Sequence, residues 1–105
     1  MKTTNRGFFI VKAAKPMIEW SEKIDEVFSL DENSEPTVYL IEEDFMDEEP
    51  ILKSHFKKIF TNELNAISDD ESTYPEIKWD TFNEWFEVVS GTSVFDLEGS
   101  DLKRD

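Results

Sequence analysis

The chain has no cysteine, a single histidine and only three glycines in 105 residues. Each scarcity closes off a class of function. Without cysteine there is no disulfide framework, no thiolate zinc site and no redox pair. With neither a cysteine nucleophile nor a second histidine, His55 builds no convincing triad and no typical zinc site. Three glycines leave no glycine-rich loop to cradle a phosphate. Basic residues are scarce too: eleven Lys and Arg stand against twenty-five Asp and Glu, a formal net charge of −14. Neutralising nucleic-acid phosphates requires a basic face, so direct DNA or RNA binding is not expected, and neither is adsorption to an anionic membrane. Long apolar runs are also missing. Nothing approaches the roughly twenty residues of a membrane span. Lys2 and Arg6 stand ahead of an apolar Gly7 to Val11 as in a signal peptide, but Lys12 ends that run too early for an h-region. The expectation is a soluble, cytoplasmic protein without a cofactor.

What is present is aromatic: nine phenylalanines, three tryptophans and two tyrosines. Acid at this density without aromatics describes a disordered chain; with them, enough surface can be buried to offset chain entropy. One domain over residues 1–105 is expected, with an ordered core over about 7–98 and a polar tail over 99–105.

Gly7 to Ala14 reads as a strand, with Phe8, Ile10 and Lys12 on one side and Phe9, Val11 and Ala13 on the other. Pro16 suits the first turn of a helix whose apolar positions are Met17, Trp20, Ile24, Val27 and Phe28. Residues 31–36 form a polar loop, and Thr37 to Ile41 a second strand. Asp47 is the expected cap of a long helix with Glu48, Glu49 and Pro50 in its first turn and a stripe of Leu52, Phe56, Ile59, Phe60, Leu64 and Ile67. Lys53, Lys57 and Lys58 follow the acids at spacings that favour helix ion pairs. After a polar loop from Ser68 to Pro75, Asp80 would cap a third helix burying Phe82, Trp85, Phe86 and Val89 and ending at Gly91. Thr92 to Leu97 reads as the last strand. The fold class is therefore α/β (α+β-like): a small two-layer sandwich in the order β-α-β-α-α-β, with a three-stranded sheet and helices mainly on one face. A parallel crossover within the first β-α-β unit is one arrangement open to it.

The first two strands are apolar on both faces, whereas a sheet with one wet face should alternate. A helix, the C-terminal segment or a second copy must cover the second face. The homodimer and a third helix crossing over are the competing readings.

Candidate sites are few. Asp31, Asn33, Glu35 and Glu42 fall at EF-hand ligand positions, but Pro36 stands where that loop needs glycine, and residues 37–41 read as a core strand. The run Glu42, Glu43, Asp44, Phe45, Met46, Asp47, Glu48 and Glu49 is either a solvated, helix-leading loop, a weak cation site or a docking surface for a basic partner. Phe45 and Met46, apolar within charge, resemble an interface core with its rim. Trp79 joins this candidate interaction surface, because it precedes the Asp80 cap and stands apart from the helical stripes. His55, near the stripe of the long helix, reads as a half-buried structural residue. Pro75 to Lys78 contains half of a nuclease pattern, without the upstream aspartate on a core sheet. Catalytic, cofactor and metal residues are expected to be none.

Four segments together, Gly7 to Val11, Pro36 to Leu40, Phe82 to Phe86 and Ser93 to Leu97, resemble a group of short acidic bacterial proteins of unassigned function. The resemblance spans about residues 7–97 and implies one compact bacterial domain. It implies no activity and no site. The function expected from the residues is a non-catalytic protein-interaction module, an adaptor or inhibitor of a basic partner. The alternative is a small carboxylate-based enzyme or divalent-cation-binding protein centred on Tyr39, Glu42 and Glu43, beyond the end of the second strand.

Overall fold

The computed structural model describes residues 2–4, 7–27, 29–41 and 47–97. In chain order its elements are β1 (Lys2–Thr4), β2 (Gly7–Ala13), α1 (Lys15–Ile24), β3 (Thr37–Ile41) and α2 (Glu48–Asn65). A 3₁₀ turn (Glu71–Thr73), α3 (Trp79–Trp85), β4 (Phe86–Gly91) and β5 (Val94–Asp96) complete the chain.

Three strands form the sheet, in the order β3-β2-β4, with β2 antiparallel to both neighbours. The β-α-β-α-α-β order of the sheet and its helices is therefore the expected one. The parallel crossover is not: Phe8 lies opposite Leu40 and Ile10 opposite Val38 in an antiparallel ladder. The segment after α1 returns the chain with reversed direction, anchored by the fully buried Ser21. Its hydroxyl donates to the Ile18 carbonyl at 2.7 Å and accepts from the Leu30 N–H at 2.9 Å. A buried hydroxyl without such partners would cost stability.

Two boundaries differ from expectation. Helix α1 stops at Ile24 and leaves Val27 beyond it, 79% exposed. Phe28 lies outside the described residues. The larger difference concerns the last strand of the sheet, which is Phe86–Gly91 and not Thr92 to Leu97. Phe82, Trp85, Phe86 and Val89 share a helical spacing, yet only the first turns of that pattern are helix. Phe86 is already extended, at φ −137° and ψ 149°. The β-branched pair Val88 and Val89 fits a pleated ladder better than a helix, and β2 offers six residues of pairing from Phe8 to Ala13. Helix α3 starts one residue after Lys78, so Asp80 sits in its first turn and is not its cap. Asp47 does occupy the cap position of α2, but its side chain makes no capping hydrogen bond. Strand β5 pairs instead with β1, Thr3 opposite Phe95, as a separate two-stranded ribbon.

The core lies between the sheet and the helices. Phe9, Val11, Ile41 and Phe86 from the strands meet Met17, Leu52, Phe56, Ile59, Phe60, Leu64 and Phe82 from the helices. Phe60 is its centre: its ring lies 5.4 to 5.9 Å from those of Phe82, Trp85 and Phe86. Edge-to-face and tilted geometries of this kind add to area burial. Trp20 ties α1 to the far loop by donating its indole N–H to the Thr73 carbonyl at 2.9 Å. Among the described residues no helix is long and apolar enough to cross a membrane.

Candidate functional site

Alternation along β2 sends Phe9, Val11 and Ala13 into the core, and Phe8, Ile10 and Lys12 to the other side. Register then places Leu40 and Gly91 beside Phe8, Val38 and Val89 beside Ile10, and Glu87 beside Lys12. The result is an apolar sheet face with one lysine and one glutamate at its end. No helix covers it. Val38 is 58% exposed, Leu40 42% and Val89 61%. The third helix does not cross over, because Phe82 binds it to the core side. At Gly91 the Phe8 ring lies so close that an added Cβ would stand 2.6 Å from it. Glycine there lets the phenylalanine lie flat across β4.

A second feature opens between β3 and α2. It is a cleft of about 760 Å³ whose apolar wall is Phe9, Leu40, Ile41 and Ile59. Its polar groups are Tyr39, His55, Lys58 and Asn62. Tyr39 faces the core side of β3, where a buried phenol needs a partner. It donates a hydrogen bond to the Glu63 carboxylate and accepts one from the Asn62 amide at 2.9 Å. Burial, and then the bond to Glu63, push the Tyr39 phenol well above its ordinary value. Of the three residues named beyond the end of the second strand, Tyr39 lines this cleft, while Glu42 and Glu43 lie outside the described residues. Lys58, Asn62 and Glu63 were not foreseen. The available signal was the tyrosine's inward parity on its strand, which requires a polar partner without naming it.

The acidic surface divides. Glu42, Glu43, Asp44, Phe45 and Met46 lie outside the described residues. Asp47, Glu48 and Glu49 are exposed at the head of α2. Glu48 and Glu49 do meet Trp79, sharing with Leu52 and Asn83 a shallow depression of about 370 Å³. Trp79 is not a detached surface residue, however. It is half-buried, edge-on to Phe56 at 5.4 Å and stacked on Phe82 at 6.1 Å. The Lys53 ammonium lies 5.7 Å from its ring centre. Lys53 therefore spends its charge on an aromatic face. The expected pairs from Lys53, Lys57 and Lys58 to the acids do not form among the described residues, where the close ion pair is Lys78 with Glu76 at 2.9 Å, both exposed.

Among the described residues no group of three or more His, Asp or Glu gathers as a metal site. The Asp31 carboxylate accepts from the Asn33 N–H at 2.7 Å and so closes its own loop. The Asp70 carboxylate accepts from the Ser72 hydroxyl and N–H, which lowers its pKa and caps the 3₁₀ turn. Both are local turn chemistry. The chain matches no known protein family, no curated protein and no solved structure.

Proposed function

We propose that the protein is a non-catalytic interaction module whose open sheet face docks a basic protein partner. The observation that carries this reading is the uncovered row of Val38, Ile10 and Val89 with Leu40 and Phe8 beside it. Contiguous exposed apolar surface on a soluble domain marks an interface. Charge selects the partner. Two copies meeting face to face would bring together two chains each of net charge −14, whereas a basic protein is drawn to such a chain. Size points the same way. Three strands at their usual spacing offer roughly 300 Å² of face, well below the roughly 800 Å² per partner of a standard interface. Electrostatic attraction to a chain of net charge −14 would then supply what the apolar patch lacks. The bacterial, cytoplasmic setting belongs to the same proposal.

The test is comparative capture from lysate by the wild type and by a Val38→Lys, Val89→Lys double variant, with elution in rising salt. Both positions are exposed, so the variant should keep the wild-type melting temperature. A basic protein held by the wild type, released by moderate salt and lost from the variant is the expected result. A partner held equally by the variant overturns the assignment to this face. A salt-resistant species of twice the 12.3 kDa chain mass by light scattering would replace the basic partner with a second copy.

A further inference from the structure

We propose that the cleft between β3 and α2 is a second site, for a small amphipathic carboxylate. The argument begins with sign. The chain carries twenty-five Asp and Glu, yet among the described residues none lines this cleft. The charge on its described lining is positive, from Lys58, with the His55 imidazole one helical turn before it. Lys58 makes no ion pair with a described residue. Its neighbours three and four residues away along α2 are His55 and Thr61, Ser54 and Asn62, so the helix offers it no acid either. In so acidic a protein, a lysine beside a hollow whose described lining holds no acid is the exception.

Among the described residues, the Glu63 carboxylate beside the polar end is engaged by the Tyr39 hydroxyl. That bond holds the acid on the tyrosine, and Lys58, which makes no ion pair with a described residue, is the charge on offer to an incoming anion. Asn62, fixed against Tyr39 by one amide N–H, adds an oriented polar group beside it. The opposite wall is hydrocarbon and aromatic, from Phe9, Ile41, Ile59 and Leu40. A ligand must then present an apolar body and a single anionic head. One lysine, without arginine or a glycine-rich loop, suits a monocarboxylate and not a phosphate, which needs several convergent donors. A cleft of about 760 Å³ is within the size range of small-molecule sites.

The experiment is a titration followed by the NMR resonances of Tyr39, Ile41 and Ile59, with octanoate, octylamine and octanol as probes. Octanoate should shift these signals saturably, and octylamine should not. Lys58→Gln should weaken octanoate roughly five-fold, the size of one exposed charge contact, and leave octanol unchanged. Lys57→Gln removes the same charge from the helix without touching the cleft and should leave octanoate binding at the wild-type value. Both lysines are exposed, so the variants should fold. Failure of octanoate to saturate these resonances at millimolar concentration overturns the proposal. So does equal weakening by Lys57→Gln and Lys58→Gln, or octylamine binding as tightly in the cleft. The cleft shares Leu40 with the open sheet face, but Lys58 lines only the cleft and Val38 and Val89 lie only on the face, so the two sets of variants separate the two readings.

Discussion

On β2, Phe9 and Val11 are wholly buried beneath the helices. Across the same sheet Val38, Leu40 and Val89 keep about half of their surface in water. The residue types are alike on both sides, and period-two alternation separates them equally well. The difference lies in the helices. All three put their apolar stripes on one side, where Met17, Phe60 and Phe82 are fully buried, and none remains for the other. An apolar face is thus a necessary condition for a core and an insufficient one. What makes one side a core and the other a surface is the supply of partners.

Truncation should break that comparison most sharply. Phe60→Ala removes the ring at the centre of the aromatic cluster and should cost about 3–5 kcal/mol. Urea unfolding of the variant at unchanged slope would measure it. A loss below about 1 kcal/mol would mean that the covered side is not the close-packed side.

At the margin between the two sides sits Tyr39, and its effect should be intermediate. Tyr39→Phe removes the bonds to Glu63 and Asn62 and should cost about 1 kcal/mol near neutral pH. The phenol's value is raised in the folded protein, whereas an unfolded tyrosine ionises near pH 10. Its stabilisation is therefore complete below about pH 10 and declines as pH rises further. The wild type and the variant should converge in alkali. A stability difference identical at pH 8 and pH 11 would show that Tyr39 does not carry this alkaline sensitivity.

The smallest change is expected on the open face. Val89→Thr keeps the β-branched shape on an exposed strand position and should alter stability by less than about 0.5 kcal/mol. The same melting experiment decides it. A loss of several times that size would mean that something already covers Val89 in solution.

Much of this fold can be read from the chain. The apolar positions of α2 recur at helical spacing and are the positions that are buried, from Leu52 to Leu64. The two sides of β2 follow from alternation alone. The span Phe82 to Gly91 was less legible, because Phe82, Trp85, Phe86 and Val89 satisfy a helix while Phe86, Val88 and Ser90 satisfy a strand. Propensity over so short a span is weak, and pairing with β2 outweighs the last turns of a helix. The candidate sites were less legible still. Trp79 meeting Glu48 and Glu49, or Tyr39 meeting Glu63, joins residues more than twenty positions apart. No local periodicity encodes such a meeting.

By itself, then, the sequence determined an acidic aromatic domain, its two-layer class, the order of helices and sheet strands and the division of β2 into two apolar sides. These depend on composition and on repeats of 2 and 3.6 residues, which neighbours along the chain record. The tertiary structure alone decided the antiparallel register, the strand fate of Phe86–Gly91, the side on which the described helices gather and the cleft beside Lys58. Each of these is settled by which distant surfaces bury one another, a competition among contacts that no single segment contains.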